Sequence, residues 1–294
     1  MKKLFTLLTF IVLTATLFAQ DITKSHPVAA FTGINAGGVF EITLSKAASS
    51  SVSVTTDKEV AQYIEVKVKD GVLHLDMDTD RMPKSLKKNM KSVKATITLA
   101  QLEKLYLSGA SRLKSSGIFS PATFKGDFSG AVTAEGLVIN AGTSTVFVSG
   151  ASKLEIKGKS QIVKYDISGA SNVMIDQDAS DIKLGGSGAA KMDYSGNSTQ
   201  AEVSISGATN VKMKGSATTA SFEASGASNL DAEHFTVKDV EIEASGVSNV
   251  RTNVSGSISA EISGGSTVRY AGNPVMKNIE TSSGASIKRI TPAK

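Results

Sequence analysis

The chain has no cysteine and no tryptophan, and among its 294 residues there are only five prolines, three histidines and 5% aromatics. Without cysteine there is no disulfide framework, no lipid-anchor cysteine and no thiolate nucleophile or metal ligand. His26, His74 and His234 lie in unrelated segments and offer no spacing for a metal centre or an imidazole base. No catalytic residue, metal or cofactor is therefore expected. The missing tryptophans leave few platforms on which a sugar ring could stack. Strong charge of one sign is also lacking. The formal net charge is +5, and removal of Lys2 and Lys3 with an N-terminal leader leaves +3, so no nucleic-acid partner is expected.

What is present begins with MKKLFTLLTFIVLTATLFAQD. Two lysines precede an apolar run from Leu4 to Phe18 that is too short to span a bilayer as a helix, the pattern of a secretory signal peptide. Residues 1–20 are read as that peptide, with cleavage after Ala19 or Gln20. The mature chain is expected to carry no transmembrane segment and to be exported to the periplasm, the outer-membrane surface or the medium. Residues 101–294 hold 19 Lys/Arg against 18 Asp/Glu and are rich in Ser, Gly, Ala and β-branched residues.

Ser-Gly-Ala or a close variant recurs in that segment, starting at Ser108, Ser129, Ser149, Ser168, Ser187, Ser206, Ser225, Ser245, Ser263 and Ser283, with intervals of 18–21 residues. A fixed period of this length marks a stacked repeat. One residue before the serine stand Leu107, Phe128, Val148, Ile167, Ile205 and Ile262, and five after it Leu113, Leu154, Val173, Met192, Val211, Leu230, Val250 and Val268. Both flanks alternate with the period of two that a strand requires. The phase breaks at Ser-Gly-Ala-Ser, which reads as a corner where glycine takes positive φ and small neighbours let the next coil lie close. Serines at the corner, Ser or Thr three residues on and Asn172, Asn210, Asn229 and Asn249 four residues on are expected to form hydrogen-bonded ladders.

A single coil cannot stand alone. Ordering its backbone costs on the order of 20–40 kcal/mol, while four or five buried side chains return about 1.5–3 kcal/mol each. Stacking on both faces supplies the rest. The expected fold is all-β: a right-handed parallel β-helix of about ten coils, roughly 50 Å long. Residues 21–100, with strand-like VFEITL, SVSVTT, YIEVKVKDGVLHLDMD and KATITL and an Asp70-Gly71 turn signal, are expected to form an N-terminal strand-rich cap of irregular coils. Residues 101–294 form the solenoid, continuous with that cap. In the last copy Lys288 replaces the apolar residue at position five, so the terminal coil is expected to be degenerate and to act as a cap.

FTGINAGGVFEITL (Phe31 to Leu44), VKDGVLHLDMD and ITLAQLEKLYLSGASRL resemble, in order and spacing, the bacterial GIN domain family of auto-transporter adhesin head domains. The resemblance spans roughly residues 28–290. It implies an exported β-solenoid and an adhesin-like role, and it carries over no catalytic residue.

DMDTDRM (Asp76 to Met82) opens like a calcium loop, but Arg81 stands at its glycine position and Lys87 at its glutamate position. A solvated strand face is the preferred reading. Lys84, Lys87, Lys88, Lys91 and Lys94 form a lysine-rich loop that is either simply solvated or a contact for an anionic surface. Glu223, Glu243 and Glu261, two residues before successive corner serines, are expected to point outward in a line, as a hydrated face or a cation ladder. Tyr106, Asp127 and Phe147 share that same outward position and form the candidate ligand-binding patch, with a glycan or protein at the cell surface as its partner. The functional expectation is a non-enzymatic binding or adhesin-like protein of the cell envelope. A polysaccharide lyase or hydrolase on the same scaffold, or a structural envelope component, is the alternative.

Overall fold

The computed structural model describes residues 21–282 and 284–290. The signal peptide read over residues 1–20 and the corner serine Ser283 lie outside the described residues. Among the described residues twenty-one strands join in one hydrogen-bonded ladder, and from residue 104 onward every pairing in it is parallel. Coil follows coil in register. Val173 pairs with Met192, Met192 with Val211 and Val211 with Leu230, and all four are buried. The fold is thus a parallel β-solenoid of about ten turns, as the repeat columns imply.

Each coil has two walls. A leading wall follows the corner, as in Asn172–Asp176, and a trailing wall precedes the next corner, as in residues 181–186. Between them the inward phase slips, because Ala179 and Ile182 both point inward. The corner is held by backbone. From Gly109 to Gly264 the N–H of the residue after the corner glycine donates to the glycine carbonyl of the coil before, as Ala170 does to Gly150 at 2.8 Å and Ala189 to Gly169 at 2.9 Å; at the last corner Ala285 donates instead to the Ser282 carbonyl at 3.1 Å. Gly169 has φ +71, and a Cβ there would stand 2.4 Å from the Gly150 carbonyl oxygen. No side chain fits that column.

The hydroxyl ladder differs from the sequence expectation. Ser111, Ser152, Ser171, Thr209 and Ser248 point inward and are buried. Their hydroxyls donate to corner carbonyls, Ser111 to Ser108 at 2.8 Å, Ser152 to Ser149 at 2.9 Å and Thr209 to Ser206 at 2.7 Å. Ser248 and Ser266, at 3.3 Å, make a direct hydroxyl pair. At these corners a carbonyl takes the place of a neighbouring hydroxyl as partner, whereas Ser228, at the same position, is buried without one. The asparagines turn likewise to local partners: Asn210 donates to the Ala208 carbonyl and Asn249 accepts from Arg269.

Toward the N-terminus both walls continue and then reverse direction. The leading wall runs through Phe40–Lys46 and Val93–Leu99 to the antiparallel strands Ser51–Asp57 and Asp21–His26. The trailing wall runs through Gly33–Ala36 and Val72–Met77 to antiparallel Ile64–Lys69. Asp70 and Gly71, at φ 52 and 70, make the tight turn of that last hairpin. The final coil, Val275–Thr281 and Ser286–Arg289, extends the ladder as one more rung and does not fold across its end. Its Val275 and Met276 are 66% and 39% exposed, since no further described rung covers them.

A cluster of larger polar side chains also lies inside the solenoid. The buried Tyr165 hydroxyl donates to Gln177 Oε1 at 2.5 Å, and Tyr194 donates to the Gln177 carbonyl at 2.9 Å. Burial pushes both phenols well above their ordinary pKa.

Candidate functional site

The outward side of the trailing wall is built by alternation. Residues at even positions before each corner serine point away from the core, and parallel pairing stacks them in rows about 4.8 Å apart. The row two residues before the serine runs His74, Asn35, Tyr106, Asp127, Phe147 and Asp166 in unbroken register. Tyr106 and Phe147 are half-buried and Asp127 is exposed, so the three predicted patch residues are brought side by side on adjacent strands. At its cap end the row is tied by Asn35 to His74 Nδ1 at 3.5 Å.

A second row, four residues before the serine, was not singled out from sequence. It runs Lys104, Lys125, Thr145, Lys164 and Lys183, with all four lysines exposed. Lys183 pairs with Glu202 of the next coil. There the sign of the wall changes. Glu223 pairs with Glu243, Glu243 with Glu261 and Glu261 with Glu280, all exposed and in line as the phase predicts. Ser204 donates to Glu223 Oε2 at 2.8 Å. A cavity of about 600 Å³, lined by Ile162, Lys183, Gln200, Glu202 and Glu223, marks the switch. Reading the sequence at this second offset would have shown the lysines, because they recur with the coil period.

The lysine-rich segment sits elsewhere. Lys84–Asn89 forms a short helix whose Leu86 packs against the core, with Met90 just beyond it doing the same; Lys84, Lys87, Lys88 and Lys91 are exposed. Lys94 lies on Val93–Leu99, in register with Glu41 on the leading wall. The segment is therefore not part of the Tyr106 wall. At the former calcium-loop stretch, Asp78 instead accepts the Arg81 backbone N–H at 3.1 Å and pairs with its guanidinium, contacts that lower its pKa. Among the described residues no group of three or more His, Cys, Asp or Glu is arranged to hold a metal ion.

The leading wall carries a larger groove of about 760 Å³, which the sequence reading missed. A register shift after Lys212 brings His234 opposite Lys214 at one end of it, an irregularity that periodicity cannot foresee. Its charges balance locally: Lys157 pairs with Glu155 at 3.0 Å and Lys191 with Asp193 at 3.2 Å. Tyr194, which borders the groove, is buried and presents no ring face.

No helix among the described residues is long and apolar enough to cross a membrane. Comparison with curated proteins gave no match. Among solved structures, a "putative adhesin" from Parabacteroides distasonis aligns over 92% of this chain and 98% of its own at 17% identity, with a TM-score of 0.51. A "putative adhesin" from Parabacteroides merdae aligns over 92% and 96% at 17% identity and TM-score 0.49. A "putative lipid binding protein" from Parabacteroides distasonis aligns over 92% and 96% at 17% identity and TM-score 0.47. The first of these likenesses shows a shared fold. A family model matches residues 30–177 and 174–274, and the chain accordingly belongs to the family described as "Putative auto-transporter adhesin, head GIN domain".

Proposed function

We propose that this chain is an exported, non-enzymatic, adhesin-like β-solenoid of the bacterial cell envelope, and that it binds a glycan or protein partner through the outer face of its trailing wall. Tyr106 and Phe147 supply apolar contact and Asp127 a hydrogen-bond acceptor between them. In this reading residues 21–100 close one end of the core, residues 101–294 provide the repeated wall, and the leader over residues 1–20 directs export. Membership of an adhesin family supports the binding role. The observation that carries the site is the register itself: the half-buried aromatics flank an exposed carboxylate on three successive strands. A rigid sheet holds such a patch without the ordering cost that a loop would incur.

The test compares the mature chain with Tyr106→Ala/Phe147→Ala for attachment to bacterial and host cells and to a glycan array, after matched thermal melts. Attachment should fall at least about tenfold, as expected for removal of two central anchors. Undiminished attachment refutes the patch. Reproducible depolymerisation of a polysaccharide by the pure protein refutes the non-enzymatic reading.

A further inference from the structure

We infer that the ligand of the trailing wall is a linear acidic polysaccharide lying along the solenoid axis on the lysine row Lys104, Lys125, Lys164 and Lys183. The inference rests on the binding role proposed above and specifies its partner. The lysines follow one line, a single residue wide, with Thr145 as the one neutral step. Lys183 has an ion-pair partner in Glu202. Lys104, Lys125 and Lys164 are exposed and make none among the described residues, so their ammonium groups are open to an external anion.

The geometry selects a chain. Rungs repeat every 4.8 Å or so, a spacing comparable to that of successive sugars in an extended polymer, so carboxylates or sulfates on the polymer meet lysines without bending it. One row over, Tyr106 and Phe147 offer apolar surface to sugar C–H faces, and Asp127 and Asp166 accept from hydroxyls. Those carboxylates also disfavour a flat anionic bilayer, which would press on both rows at once, whereas a single polymer strand rests on the lysine row. The track has an end. Beyond Glu202 the wall presents Glu223, Glu243, Glu261 and Glu280, which repel a polyanion. The bound length is therefore about four to five rungs, roughly 20 Å.

The experiment measures binding of the mature chain to polygalacturonate, a sulfated glycan, a neutral β-glucan and phosphatidylglycerol vesicles at low and high salt. Lys125→Glu/Lys164→Glu, Lys125→Gln/Lys164→Gln and Tyr106→Ala/Phe147→Ala are compared with Lys212→Glu/Lys214→Glu on the opposite wall. The expected result is salt-sensitive binding of at least one acidic glycan, weakened at least about tenfold by either Lys125/Lys164 pair and unchanged by the opposite-wall pair. Binding of the neutral glucan at equal strength, binding of vesicles alone, or no binding of either acidic glycan overturns the inference. Loss of attachment in the aromatic variant with none in the lysine variants overturns the acidic ligand and leaves the patch reading intact. Loss in neither overturns both.

Discussion

Replacing Gly169 by alanine tests the stacked corner on which the solenoid depends. Gly169 has φ +71, and an added Cβ would stand 2.4 Å from the Gly150 carbonyl oxygen and 2.9 Å from the Gly150 nitrogen, against about 3.5 Å for an ordinary contact. That oxygen accepts the Ala170 N–H at 2.8 Å. Moving it to relieve the clash weakens a bond worth about 1 kcal/mol. The left-handed backbone costs an alanine a further 1–2 kcal/mol or so, and pushing one coil against the next adds about 1–3 kcal/mol of overpacking strain. The expected loss is roughly 3–6 kcal/mol. Gly71 provides the control, because it has φ +70 with nothing within 4 Å of its Cβ position. Gly71→Ala should cost only the backbone share, about 1–2 kcal/mol. Both are measured by urea unfolding of residues 21–294 followed by far-UV circular dichroism, with the slope checked for constancy. Equal losses at the two sites would refute the argument that coil contact, and not backbone conformation alone, reserves the corner for glycine.

Three further outcomes are expected. Val211 is fully buried between Met192 and Leu230, so Val211→Asp loses about 1.5–3 kcal/mol of burial and leaves an unpaired charge worth several more; an unchanged thermal midpoint would contradict the inward phase. Tyr165 and Tyr194 ionise above the unfolded-state value of 10.0, so their contribution is intact below pH 10 and lost as pH rises beyond it. Stability measured against pH should fall on the alkaline side, and Tyr165→Phe should flatten that fall while lowering stability at neutral pH by about 1–3 kcal/mol through the abandoned Gln177 oxygen. The lysine row continues in register as Glu202, Ser221 and Glu241, so Glu202→Lys/Glu241→Lys should extend the basic track and tighten long acidic polymers more than short ones; equal gains for both lengths would argue against an axial ligand.

The fold was legible in the sequence because a solenoid writes its contacts as columns. Leu154, Val173 and Met192 share a position five residues after the serine and share a line in the core. The hydrogen bonds at the corner were less legible, since sequence shows that Ser111 or Thr209 recurs but not that its hydroxyl takes a corner carbonyl as partner. Register shifts were hidden altogether. One extra residue near His234 sets it opposite Lys214 at the edge of a groove, while Val211 and Leu230 keep their pairing. The Tyr106–Asp127–Phe147 row could be placed by phase alone, whereas the helix at Lys84–Asn89 could not, because it follows no coil period and is held by Leu86 and Met90 packing against the distant core. The lysine row needed the whole length of the trailing wall in view: its meaning comes from the glutamates that end it.

The central claim, that the outer face of the trailing wall is the binding surface, is tested most directly by lysine footprinting. Residues 21–294 are acetylated briefly alone, with polygalacturonate and with a sulfated glycan, and the modification rate at each lysine is read by mass spectrometry. Slower acetylation of Lys104, Lys125 and Lys164, with Lys212, Lys214, Lys87 and Lys88 unchanged, is the predicted result. Protection of Lys212 and Lys214 or of Lys87 and Lys88 instead, or uniform rates throughout, would contradict it.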